Sequence, residues 1–65
     1  MNLYQYIYPV AYNKPDTKCI IYIDNTILYC GNVGDIPMKY GKYIYQRVLL
    51  DENGVLRIFV EKMKN

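Results

Sequence analysis

Ile44, Val48, Leu50, Leu56, Ile58 and Val60 all fall at even positions on either side of Asp51-Glu52-Asn53-Gly54. Side chains along a strand alternate between two faces, so this spacing asks for two strands joined by a turn. Two turns compete. A two-residue turn at Asn53-Gly54 would set even positions against odd ones. A type I turn over Asp51–Gly54, with Gly54 left-handed as a bulge, keeps even opposite even. The second register pairs Leu50 with Leu56 and Val48 with Ile58, leaving one face wholly apolar. A one-residue slip would turn one strand's apolar set toward water, so the burial pattern selects the bulged turn. The other face then carries Tyr43, Tyr45, Arg47, Leu49, Val55, Arg57, Phe59 and Glu61, with Arg47 across from Phe59.

A second hairpin is expected through Cys19–Ile23 and Thr26–Cys30. Asp24-Asn25 makes a plausible two-residue turn because both residues tolerate positive φ. That register sets Cys19 opposite Cys30 and Ile21 opposite Leu28, with Ile20, Tyr22, Ile27 and Tyr29 on the other face. Both faces are apolar or aromatic, as for strands covered on each side. A domain this small can hardly cover both, so one face is a candidate interface.

Leu3–Tyr12 reads as a strand weakened near Pro9, which suits an edge. Tyr4, Tyr6 and Tyr8 would share one face of it, with Leu3, Ile7 and Ala11 opposite. Asp35 could cap a short turn through Ile36–Lys39 that Gly41 ends, or 31–41 is plain loop. The sum is a single small domain spanning 1–65: an all-β, five-stranded antiparallel meander with room for one short helical turn. Such chains form a curled sheet or a small SH3- or OB-like barrel.

A chain of 65 residues buries only about 60% of its unfolded surface, so a disulfide, a metal or oligomerisation is the usual support. Two Cys and no His make a structural zinc site improbable. The N-terminus lacks the basic n-region and apolar h-region of a signal peptide, and no apolar run approaches the roughly 18–20 residues of a membrane helix. The expectation is a cytoplasmic protein, not a membrane one, with Cys19 and Cys30 as buried thiols and a homo-oligomer supplying the extra stability. Tyr, Ile, Lys and Asn make up 29 of the 65 residues, and their codons are rich in A and T. Genome composition therefore explains part of the tyrosine count, but not its alternate spacing.

Catalysis finds little support. The commonest general base, His, is absent, and so is Ser. The acidic residues fall mainly in expected turns, where Asp closes loops rather than pairing for acid–base work. No cofactor or metal is expected, and the chain reads as a non-enzyme. The surface of Tyr43, Tyr45, Arg47, Arg57 and Phe59 is the leading ligand- or partner-binding candidate. Aromatic rings beside guanidinium groups hold bases and phosphates, and Tyr and Arg are also enriched at protein interface hot spots. Tyr4, Tyr6, Tyr8, Ile20, Tyr22, Ile27 and Tyr29 are the candidates for self-association. The bland alternative for both sets is a solvated sheet face with ordinary cross-strand pairs.

No motif is specific enough to carry a family resemblance. The reading is a tyrosine-rich binding module that acts stoichiometrically, as an inhibitor or sequestering protein. A host protein and a small nucleotide ligand are the two target classes. Size and composition resemble those of phage or mobile-element accessory proteins of the anti-defence type, which would place it in the host cytoplasm. One alternative is a single-stranded nucleic-acid binder using the aromatic and Arg face. Another is a structural subunit of a larger assembly.

Overall fold

A computed structural model describes residues 1–62. One helix, α1 (Leu3–Asn13), packs on an open sheet of four strands: β1 (Lys18–Ile23), β2 (Thr26–Asn32), β3 (Ile44–Leu50) and β4 (Leu56–Glu61). The spatial order is β2-β1-β4-β3, so two antiparallel hairpins lie side by side with their inner strands parallel. The fold is therefore mostly β, but the expected five-stranded antiparallel meander is replaced by four strands in a mixed sheet. No barrel closes.

The expected N-terminal strand is α1. Asn2 caps it: its Oδ1 accepts from Gln5 N at 2.8 Å, and Gln5 Oε1 accepts from Asn2 N at 3.0 Å. This reciprocal capping box satisfies two donors that a helix start leaves orphaned. The next helical donors go to the segment before β3, with Leu3 N bonding Tyr43 O at 2.8 Å and Tyr4 N bonding Gly41 O at 2.9 Å. Glycine suits this close approach, since a Cβ at Gly41 would lie 3.1 Å from that of Tyr4. Leu3 and Ile7 point inward with Val10 and Ala11 beside them, the i, i+4, i+7, i+8 stripe of a helix packed on a sheet. An interior proline costs roughly 3 kcal/mol, and burial of Leu3 and Ile7 offsets what Pro9 takes away.

Both turns form as the residue types dictate. Asp24 and Asn25 have φ of 48° and 65°, and Gly54 has φ of 78°. The Asp51 carboxylate accepts from Asn53 N at 2.8 Å and Val55 N at 3.0 Å, and Gly54 N closes on Asp51 O at 3.0 Å. The backbone N–H of Val55 is the chief reason the Asp51 carboxyl lies below the ordinary aspartate range; burial opposes it, and Asn53 N–H and Arg57 add to it. A folded-state pKa below the unfolded one stabilises the fold above about pH 4, the unfolded aspartate range. That contribution is lost as pH falls through the depressed folded value. Asp51→Ala is therefore expected to flatten the acid limb of a urea-midpoint profile; an unchanged slope would contradict it.

Between the hairpins, 31–41 holds two 3-10 turns, Val33–Asp35 and Met38–Tyr40, the second ending at Gly41. Asp35 closes the first turn instead of capping a longer one. The core joins Leu3 and Ile7 of α1 to Cys19 and Ile21 of β1, Ile58 and Val60 of β4, and Val33. These strand positions alternate, so one sheet face lies under α1 and the other is uncovered.

Candidate sheet-face interface

Two irregularities decide which side chains reach the uncovered face. In β3 the register with β4 runs Leu50↔Leu56, Leu49↔Arg57, Val48↔Ile58 and Arg47↔Phe59, as the turn requires. It then shifts at Gln46, so that Tyr45 pairs with Val60 and Ile44 with Glu61. The bulge turns Tyr45 to the helix side and Ile44 away from it, opposite to expectation. Tyr45 stacks on Tyr6 with centroids 4.3 Å apart and planes 10° from parallel. Burial, and secondarily the neighbouring Tyr45, raise the Tyr6 phenol pKa. Tyr43 also packs against the core. Tyr43 and Tyr45 therefore leave the group formed with Arg47, Arg57 and Phe59.

The second bulge lies in the β1–β2 hairpin. Ile23↔Thr26 and Tyr22↔Ile27 follow the expected register, but one extra residue then sets Ile21 against Tyr29, Ile20 against Cys30 and Cys19 against Gly31. Tyr29 joins the helix side, where its hydroxyl donates to Asn32 O at 2.8 Å. It thus separates from Ile20, Tyr22 and Ile27. The two thiols do not face each other: Cys19 is buried and Cys30 exposed, both free. Burial, with a smaller effect of Cys30, pushes the Cys19 thiol up to about 11. At pH 8 the expected outcome is one alkylated cysteine in the native protein, Cys30, and a second only after denaturation. Equal labelling rates would contradict the burial.

The Tyr4/Tyr6/Tyr8 row is also divided. Tyr4 and Tyr8 lie on the exposed flank of α1 and Tyr6 on its inner side.

What remains on the uncovered face is brought together by the parallel pairing, which sequence reasoning missed. Ile20 lies beside Arg57 and Tyr22 beside Phe59. Two rows thus cross the whole sheet in the order β2, β1, β4, β3: Ile27–Tyr22–Phe59–Arg47 and Cys30–Ile20–Arg57–Leu49. What is left of the two patches expected from sequence, Ile20, Tyr22 and Ile27 with Arg47, Arg57 and Phe59, is a single surface.

The rows are internally ordered. Tyr22 and Phe59 stack with centroids 5.1 Å apart and planes 14° from parallel. Arg47 covers Phe59 from the other flanking strand, its Cζ 4.5 Å from the ring centroid. Arg57 donates to the Tyr22 hydroxyl, and its Nε lies 3.4 Å from Asp51 Oδ2, the single ion pair among the described residues. The rings therefore stand side by side, with the faces of Phe59 occupied by its neighbours. At the Asp24-Asn25 end the surface opens into a shallow groove of about 340 Å³, lined in part by Arg47, Asp24 and Glu61.

Among the described residues no group of three or more His, Cys, Asp or Glu is placed to hold a metal ion. No helix there is long and apolar enough to cross a membrane. No protein-family model matches the chain, and comparison with curated proteins and with solved structures gives no match either.

Proposed function

We propose that the chain is a non-enzymatic binding module that docks the uncovered face of its sheet on another protein and acts by occupying that protein's surface. The observation that carries this reading is the ordered row Ile27–Tyr22–Phe59–Arg47 crossing all four strands without a covering layer. Tyr and Arg held in place by their neighbours lose little side-chain entropy on binding, which is what interface anchors need. Arg47 rests on a ring and has no carboxylate partner among the described residues. It calls for an acidic group within an otherwise apolar partner surface.

A standard interface takes about 800 Å² from each side. A partner that also grips the sheet's rim would reach that size. In the phage or mobile-element setting suggested by composition, that partner is a host protein.

The nucleic-acid reading is less well supported. Bases stack on free ring faces, and those of Phe59 are taken by Tyr22 and Arg47. A small nucleotide in the groove would meet the carboxylates of Asp24 and Glu61, which repel phosphate.

The test compares immobilised wild type with Arg47→Glu and with Tyr8→Ala on the helix flank. A stoichiometric host protein retained by wild type and Tyr8→Ala, and lost with Arg47→Glu, supports the reading. Salt-sensitive binding of oligo-dT lost with Arg47→Glu would replace it with the nucleic-acid one. A concentration-dependent mass by light scattering, abolished by Arg47→Glu, would replace it with self-association.

A further inference from the structure

β2 and β3 are the two edges of the sheet, and they differ in protection. Met1 and Asn2 cover the start of β3: Asn2 bridges Ile44, and Tyr45 N bonds Met1 O at 3.1 Å. Arg47 puts a charge farther along that edge. β2 reads Thr-Ile-Leu-Tyr-Cys-Gly-Asn, without the charges and prolines that blunt an edge. Among the described residues no segment other than β1 hydrogen-bonds the backbone of 26–31.

The unused groups on this edge can be located. Ile23 and Thr26 flank the two-residue Asp24-Asn25 turn and exchange hydrogen bonds, so the next pair, Tyr22 and Ile27, does not. The N–H and C=O of Ile27 therefore point away from β1. The same alternation along β1 returns Ile21 to β2 and turns Ile20 to β4, so Cys30, opposite Ile20, also points its backbone groups outward. Ile27 and Cys30 carry their side chains on the uncovered face, with Leu28 and Tyr29 between them on the helix side. The Tyr29 hydroxyl occupies Asn32 O, which ends the open edge.

We propose that this edge pairs antiparallel with the same edge of a second copy, about a two-fold axis between Leu28 and Tyr29. Ile27 of each copy then exchanges backbone hydrogen bonds with Cys30 of the other, so one register satisfies every outward group of both residues. Both bulges fall on the axis, and Leu28 and Tyr29 of the two copies meet on the helix side. A slip of one residue would set these groups against ones turned toward β1. Charge selects the same occupant. The register lays the Asp24-Asn25 turn of one copy beside Asn32 of the other, and Lys18 Nζ lies 2.7 Å from Asn32 Oδ1. Lys18 thus stands next to Asp24 of the second copy, and symmetry makes this contact twice. Neither residue has an ion-pair partner among the described residues. Asp35 raises the Tyr29 phenol from the helix side, whereas Lys18 lies on the uncovered one. Each copy offers one bare edge, so the assembly closes at two. The result is a continuous sheet with both helices on one side, and the inference does not depend on the function proposed above.

Light scattering and amide hydrogen exchange test this on the wild-type chain. A mass rising from 7.7 kDa toward twice that value between about 10 μM and 1 mM is expected, the range of a weak contact. Over that range the amides of Ile27 and Cys30 should gain about fivefold or more in protection, and those of β3 should not change. Ile27→Pro removes an outward N–H and no bond to β1, and it should keep the chain monomeric. Lys18→Glu should weaken pairing by about threefold to tenfold, and Arg47→Glu should leave it unaltered. Ile27→Cys sets a thiol opposite Cys30 of the second copy, with Cα atoms about 5.5 Å apart. Diamide should then link two chains covalently, and adding Cys30→Ser should abolish the link. The inference is overturned by a constant 7.7 kDa mass, by growth past two chains, or by protection that appears on β3 instead. It is also overturned by a dimer that survives a folded Ile27→Pro, by one lost with Arg47→Glu, or by a cross-link that persists with Cys30→Ser.

Discussion

Ile58→Ala is expected to destabilise the protein by roughly 3 kcal/mol, within the usual range for removing a buried isoleucine side chain to alanine. Ile58 is fully buried on the central strand β4, between Ile21 of β1 and Val48 of β3. Its surroundings are strands on both sides and α1 above, so the cavity has little freedom to collapse. Typical stabilities of about 0.05–0.15 kcal/mol per residue put a chain of this length at roughly 3–10 kcal/mol in total. One side chain therefore accounts for a third or more of it. Urea denaturation measures the loss directly, and Ile58→Val, at about 0.5–1.5 kcal/mol, provides the graded control. A cost below about 1 kcal/mol for Ile58→Ala would mean that α1 does not cover this face.

On the opposite face, Tyr22→Ala is expected to weaken binding to the protein partner by at least 2 kcal/mol, about 30-fold. Tyr22 stands in the middle of its row, stacked on Phe59, and touches the other row by accepting a hydrogen bond from Arg57. Removing it takes away the ring and also leaves both neighbours less ordered, so affinity falls by more than the lost contact area implies. Arg47→Glu should match or exceed this loss by placing a like charge against the acidic group that Arg47 meets. Arg47 is exposed at an edge strand, so its reversal changes stability little. Affinity loss without a change in urea midpoint is the expected signature. Retained affinity in both variants would remove the sheet face from consideration.

Local chemistry was legible in the sequence wherever a turn or an alternation was decided by adjacent residues. Asp24-Asn25 and Asp51–Gly54 both form, and the register next to each turn is the expected one, Tyr22 against Ile27 and Val48 against Ile58. The helix was missed because a spacing of two in Tyr4-Gln5-Tyr6-Ile7-Tyr8 masks spacings of four. Leu3/Ile7/Ala11 and Tyr4/Tyr8/Tyr12 are both helical stripes, and Asn2 with Gln5 is their capping box. Pro9 weighed against a helix on propensity alone, and tertiary burial overrode it. Neither bulge has a Gly or Pro to mark it, at Gln46 or beside Leu28. Each nevertheless moves every residue beyond it to the other face, which is why Tyr45, Tyr29 and Cys30 were misassigned. The parallel pairing of β1 with β4 depends on contacts between distant segments and left no local signal. That pairing is what fused the two expected patches into one.

The same pairing dictates how the chain must be assembled. Each hairpin closes locally, but the sheet is joined only through residues 19–22 against 56–59, and β4 is made after the other three described strands. While the chain emerges from the ribosome, the first hairpin waits with the inner edge of β1 unpaired and with Cys19 and Ile21 lacking their neighbours. The sheet thus cannot close until β4 has been made, and its slow step is expected to be the meeting of the two halves. Removing β4 would not trim an edge: it would leave two exposed strand edges where the centre of the molecule should be.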